Sequence, residues 1–189
     1  MGTFNAVSSK IGFQLLIPSP LMEFTEPSTF SAAEATVLSD GEGDPYGTNH
    51  LGISWAPKDH HVVLSKAGQL VAHAGYILIA VEADGVRIPG VGLGSVMVHP
   101  SMRGEGIGSR LVQATTARMG AVGRPFALLF CRDIRQPFYE RMGWRRVCTE
   151  VTVDQEQGLL TMPLLSCWFS FDQDCHPPEE RLRVLGPPF

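Results

Sequence analysis

The sequence is short of the features that would take it out of the ordinary folded class. No run approaches the roughly 20 apolar residues of a membrane-spanning helix, so no membrane partner is expected. Cysteine is sparse: Cys131, Cys148, Cys167 and Cys175 form no Cys-x-x-Cys pair and have no histidine spacing suited to zinc. Neither a disulfide framework nor a metal site is therefore expected. A basic excess is also missing. With 15 Lys and Arg against 19 Asp and Glu, the net charge of −4 argues against nucleic acid and is compatible with a cationic substrate. The first residues lack the basic start and long apolar run of a signal peptide, since Ile11 to Ile17 is short, contains Gln14 and ends at Pro18. A cytoplasmic protein with free, buried thiols is the expectation. No internal repeat and no linker is visible, so residues 1–189 read as a single domain, with 172–189 as an irregular C-terminal tail.

What is present centres on Gly92 to Met119. Val96 and Val98 give the period-two signature of a strand, which Pro100 ends, and Ile107, Leu111, Thr115 and Met119 recur at helical spacing. Between them, Arg103-Gly104-Glu105-Gly106-Ile107-Gly108 puts three glycines at alternate positions where a helix begins. Free N–H groups and the positive end of the helix dipole make such a place an anion site, and glycines let a pyrophosphate approach the main chain. A P-loop needs a Lys after its glycines, and the dinucleotide fingerprint needs Gly-x-Gly-x-x-Gly; neither is met. The pattern that remains is Arg-x-x-Gly-x-Gly.

The flanking chain reads as a mixed α/β domain. Ile11 to Ile17 is an edge strand closed by prolines, and Ser31 with Glu34 forms a capping box opening a helix that ends at Asp40-Gly41. Asp40 to His60 is a long loop, in which Asp40, Glu42 and Asp44 are either solvated turn formers or an acidic lip for an amine. His61 to Ser65, Leu70 to Glu82 and Val86 to Ile88 form an antiparallel meander leading into the central strand. His73 reads as a hydrogen-bonded core histidine rather than a base, and His60, His61 and His99 are read with the same caution. Pro125 to Cys131 is an apolar run suited to a strand buried on both faces, and Pro137 opens a short helix carrying Phe138, Tyr139 and Met142. Trp144 to Val153 and Leu159 to Phe171 read as a final strand pair, and Asp174 to Phe189 as irregular.

The Arg103, Gly106, Gly108 loop in its strand–helix setting resembles the coenzyme A loop of the GNAT superfamily of N-acetyltransferases. The segment Pro137 to Trp144, a helix bearing a Tyr and then Gly and an aromatic, is similar to a second GNAT signature. The Val-Ala-His-Ala strand at Val71 to Ala74, the acidic loop and the C-terminal extension look similar to the aminoglycoside 2′-N-acetyltransferases, an antibiotic-resistance group. Where those enzymes resemble one another in carrying a Glu on the central strand, this chain has Leu93-Gly94-Ser95.

The resemblance implies a mostly antiparallel sheet flanked by helices and splayed between the fourth and fifth strands, and an acetyl-CoA-dependent N-acetyltransferase. Val96, Met97 and Val98 would pair with pantetheine, with the Val98 N–H as oxyanion donor. Arg103, Gly104, Glu105, Gly106, Ile107, Gly108 and Ser109 would hold the pyrophosphate, and Tyr139 would be the general acid. Asp40, Glu42 and Asp44 would bind the small cationic amine. Acetyl-CoA and that amine are the implied partners, with a homodimer allowed.

Overall fold

The computed structural model describes residues 21–189, so the edge strand expected at Ile11 to Ile17 lies outside the described residues. In chain order the elements are β1 (Met22–Thr25), α1 (Ala32–Leu38), β2 (His60–Lys66), β3 (Gln69–Ala83), β4 (Val86–Val98), α2 (Ile107–Ala121), β5 (Phe126–Cys131) and α3 (Gln136–Glu140). β6 (Arg145–Arg146), β7 (Val151–Gln155), β8 (Gly158–Thr161), β9 (Leu165–Ser170) and β10 (Leu182–Val184) follow. The ten strands make one sheet, ordered β6-β9-β5-β4-β3-β10-β7-β8, with β1 and β2 added beside β3. β3 can take two partners on one edge because it is long: its first half pairs with β2 and its last three residues with β10.

This is the mixed, mostly antiparallel α/β sheet that the resemblance implied, since among the described residues only β4–β5 and β7–β10 run parallel. The local signals explain much of it. The Ser31 hydroxyl accepts from the Glu34 amide while the Glu34 carboxylate accepts from the Ser31 amide, so the capping box forms as read. β5 is buried on both faces, and its side chains divide by alternation: Ala127, Leu129 and Cys131 join the core under α2, while Phe126 and Leu128 join the core on the other face. α2 buries Ile107, Leu111, Thr115 and Met119, the four positions read from the spacing.

Three expectations are corrected. Val86 to Ile88 and the central strand are one continuous β4, because Pro89 lies where β4 extends past the first β5 pairing at Val91 and has a neighbour on one side only. The expected final strand pair is four strands: β6 and β9 pair on one side of the sheet, whereas β7 and β8 form a separate hairpin at the opposite end. The tail is not wholly irregular. Leu182 to Val184 enters the sheet as β10 between β3 and β7, with Leu182 and Val184 buried, so a segment rich in proline is held by main-chain pairing to strands distant in sequence.

Gly90 and Gly92 in β4 are glycines because rings stand over them. A Cβ on Gly90 would collide with the Phe126 ring, and one on Gly92 would lie 2.5 Å from the Phe189 ring. Phe126 cannot yield, being fully buried and stacked on Trp168 at 3.8 Å between centroids. Gly90→Ala is expected to cost about 1–3 kcal/mol by overpacking. At this size that lowers Tm by roughly 2–4 °C per kcal/mol, read by thermal denaturation. Adding Phe126→Leu should recover part of the loss, since the two positions share one contact.

Candidate active site

The site is made where β4 and β5 part. They pair from Val91 with Ala127 to Leu93 with Leu129 and no further, although β4 runs on to Val98 and β5 to Cys131. A register shift between His73 and Gly75 on β3, opposite a positive φ of 52° at Ser95, bends β4 away at this point. Main-chain groups alternate sides along a strand. The His99 amide donates to the Val71 carbonyl of β3, so the N–H and C=O of Val98 and Val96 face the side that β5 has left. The cleft so opened is a cavity of about 770 Å³.

At its far end the cavity reaches the start of α2. Gly104 (φ 88°) and Gly106 (φ 75°) are in the left-handed region that favours glycine, and a Cβ at either would meet nothing, so the loop turns with an open face. Gly106 caps α2 with no side-chain hydrogen bond and no acidic residue in the first turn. Its first amides are thus available to an anion. Arg103 is held at the rim, its Nε donating to the Val98 carbonyl at 3.2 Å and its guanidinium 3.6 Å from Glu42. Val96, Met97, Val98, Arg103, Gly104, Gly106, Ile107, Gly108 and Ser109 all line the cavity, as does Tyr139.

Four expected residues fare differently. The Glu105 side chain is off the cavity wall and pairs with Lys66 at 3.2 Å. Asp40 is likewise off the wall, an exposed residue at positive φ just beyond α1. Asp44 lines the cavity, but its carboxylate accepts the Thr48 and Asn49 amides at 3.0 Å each, and the Thr48 bond holds it below the usual carboxylate range. Glu42, also on the wall, is paired with Arg103. The acidic loop is therefore occupied mainly with shaping itself and with placing Arg103.

Tyr139 is buried, and it stands on the cavity wall. Burial pushes its pKa above the ordinary phenol range, with Cys131 and Cys167 adding to the effect, so it remains protonated. Cys131, on the same wall, is pushed up by its hydrogen bond to Cys167 and by burial, and stays a thiol.

Several wall residues were not singled out from the sequence. Tyr46, Trp55 and Lys58 come from the long loop, and Arg132 and Arg135 from the carboxyl end of β5. The right-handed strand–helix–strand rule, which puts ligands at carboxyl ends, was the signal for the two arginines. None existed for Lys58. It lies along the strand so closely that a Cβ on Gly75 would be 2.5 Å from its Cγ and one on Gly94 2.7 Å from its Cε. Its Nζ donates to the Ala56 carbonyl at 2.7 Å, and burial lowers its pKa to about 8. The same Gly94 Cβ would be 2.8 Å from the carbonyl carbon of Phe189, so the strand position that lacks a carboxylate is covered by Lys58 and the tail.

His73 is buried as expected, but its partner is another histidine. Its Nδ1 is 3.2 Å from the Ser95 carbonyl and its Nε2 3.0 Å from Nδ1 of His61, and the Phe30 ring stacks on it at 3.7 Å.

Residues 53–147 match the family model for an acetyltransferase (GNAT) domain, and the chain belongs to the GNAT acetyltransferase family. The fold is similar to that of YhbS from Escherichia coli, a GNAT family N-acetyltransferase solved in complex with CoA, at 14% identity and a TM-score of 0.62, over 89% of this chain and 92% of that one. It is similar to a GNAT family acetyltransferase from Brucella melitensis in complex with acetyl-CoA, at 16% identity and 0.52, over 85% and 94%. Escherichia coli ElaA matches at 18% and 0.51, over 79% and 100%. No curated protein matches the sequence. Nothing in these likenesses supports the narrower resemblance to the aminoglycoside 2′-N-acetyltransferases.

Burial, and then the neighbouring His61, hold the His73 imidazole down at about 4, against the Ser95 hydrogen bond that favours the charged form. The unfolded chain, with a value near 6.5, binds that proton first. Stability from this group is thus complete above about pH 6.5 and is lost as pH falls toward 4, by up to about 1.4 kcal/mol per pH unit. Urea denaturation at a series of pH values should show that slope, and His73→Gln should flatten it.

Proposed function

We propose that the protein is an acetyl-CoA-dependent N-acetyltransferase that passes the acetyl group directly to a primary amine of a small molecule. The observation that carries this reading is the edge of β4 at Val96 and Val98, which β5 has left and which lines one cavity with the buried Tyr139 and the uncapped glycine start of α2. Acetyl-CoA supplies an acyl group activated as a thioester. The open-faced glycines suit its pyrophosphate, the α2 amides and Arg103 would hold that charge, and the exposed edge of β4 suits an extended amide arm.

This chain's groups then have defined tasks. The Val98 N–H, directed into the cleft, is placed to receive the charge that develops on a carbonyl oxygen. Tyr139, kept protonated by burial, holds a proton for a departing thiolate. No wall cysteine is activated, because burial and the Cys167 bond keep Cys131 a thiol; direct transfer fits better than an acyl-enzyme.

The acceptor is read as a small molecule because the long loop and Phe189 both stand on the cavity wall, where a peptide would need an open groove. A polycation such as an aminoglycoside would need free carboxylates, and Glu42 and Asp44 already have partners. An acetyl-transfer screen across monoamines, polyamines, aminoglycosides, amino acids and peptides, read by release of free coenzyme A, tests the reading. Selective turnover of peptides would favour a peptide or protein substrate, and binding without any turnover a non-catalytic acyl-CoA module.

Two variants probe the two halves of the site. At Gly108 a Cβ would make only ordinary contact, 3.4 Å from Phe138, and φ is not strained, so Gly108→Leu should fold and project into the cavity. Calorimetry should show acetyl-CoA affinity weakened about tenfold or more, a loss of about 1.4 kcal/mol. Tyr139→Phe keeps the ring and removes only the hydroxyl. Acetyl-CoA affinity should be unchanged while kcat falls by about 10²-fold, the low end for a positioned acid, because a thiolate is a tolerable leaving group.

A further inference from the structure

A second cavity, of about 420 Å³, adjoins the first, and Tyr46, Pro57, Lys58 and Ser95 belong to the walls of both. Its other walls include Phe30, His61 and His73. Among the described residues none of its lining groups is a carboxylate, and Lys58 is its one ammonium. It therefore meets the main cleft at the Ser95 bulge and is furnished with rings, hydroxyls and imidazoles rather than with negative charge.

The hydrogen bonds decide the tautomers of its two histidines. A carbonyl oxygen only accepts, so His73 Nδ1 carries the proton that is given to Ser95. In neutral His73 the Nε2 is then a lone pair, and the donor across the 3.0 Å gap is the Nδ1–H of His61. That leaves the Nε2 of His61 as a lone pair. Protonating it creates an imidazolium whose Nδ1–H already points at an acceptor, with Phe30 stacked on His73 to hold that acceptor in place. This is the arrangement of a base whose partner sets its orientation and tautomer.

Resting on the N-acetyl-transfer reading above, we infer that the second cavity is the acceptor subsite, that it takes a primary amine on an uncharged, ring-sized body, and that His61 Nε2 receives the amine's proton while His73 positions it. The ammonium loses one proton to His61 Nε2, which returns it to solvent. The freed nitrogen pair forms the C–N bond to the thioester carbonyl carbon, and the C–S bond breaks. The second proton leaving nitrogen ends, net, on the coenzyme A sulfur through Tyr139. The sequence of steps consumes RNH₃⁺ and acetyl-CoA and yields the amide, free coenzyme A and H⁺.

The groups facing His61 are Lys58, Asp59 and His60 beside it in the chain, Glu34 from α1 and His73 from β3. Burial first, then His60 and Lys58, lower its pKa, while Asp59 and Glu34 oppose them. The pair is thus neutral through physiological pH and ready to accept.

The test uses the full chain, acetyl-CoA and 2-phenylethylamine as the probe. In the wild type, kcat/KM should level off with pH above an acid limb set by His61. In His61→Gln it should fall about 10²-fold and rise about tenfold per pH unit through the neutral range, because the variant must wait for free amine. Added imidazole should restore turnover in His61→Ala. Independently of activity, nitrogen-15 NMR of the protein alone should show both histidines protonated at Nδ1. Wild-type kcat/KM with an unchanged profile in folded His61→Gln, or a proton on His61 Nε2, would overturn the base. Acetyl-CoA binding without turnover of the probe would overturn the subsite while leaving the cofactor reading intact. Absence of acetyl-CoA binding by calorimetry would instead overturn the reading on which the inference rests.

Discussion

Everything in the site depends on two neighbouring strands that cease to pair. β4 and β5 are hydrogen-bonded over three residues and then diverge, which leaves β4 with polar main-chain groups that have no strand to meet. Unpaired groups of this kind are costly in a dry interior, and here they are instead presented to a cavity. The bulge at Ser95 is the local cause: a non-glycine residue at positive φ, which turns the strand while the register against β3 slips. One distortion serves both cavities, since Ser95 stands on the wall of each and its carbonyl holds His73.

The rest of the molecule reads as support for that parting. α2 packs Ile107, Leu111 and Met119 beneath the sheet and so brings its glycine start to the end of β4. On the opposite face, Phe126, backed by Trp168, packs over Gly90 and Phe189 over Gly92, where side chains would not fit. The tail returns through β10 and brings the main chain of Phe189 against the central strand at Gly94. A glycine in β4 is thus explained by a ring or a chain lying against it, while the glycines of the loop are explained by their dihedrals and an open face.

Charge is used sparingly in the site. Asp44 shapes its own loop, Glu42 meets Arg103, and Glu105 meets Lys66, so the loops next to the glycine turn are tied together by half-exposed pairs. Such pairs contribute little to stability each. Their effect is one of placement, keeping Arg103 where an anion at the α2 start would be felt.

What the sequence determined by itself is what depends on near neighbours. The capping box at Ser31, the helical spacing from Ile107 to Met119, the glycines at 104, 106 and 108 and the short helix at Pro137 are local patterns, and each forms where it was read. Part of the wall of the main cavity was legible for the same reason, because one continuous strand–loop–helix supplies its largest single share. Only the tertiary structure decided the partners of groups far apart in the chain. It joined His61 to His73 and both to Ser95, drew Lys58 and Phe189 against Gly94, and split the last strands between two ends of the sheet. Carboxylates that composition offered to a cationic ligand were taken up by amides and by Arg103. A residue type records what a side chain can bond to, whereas the bond it makes is set by which competing groups the fold brings within reach.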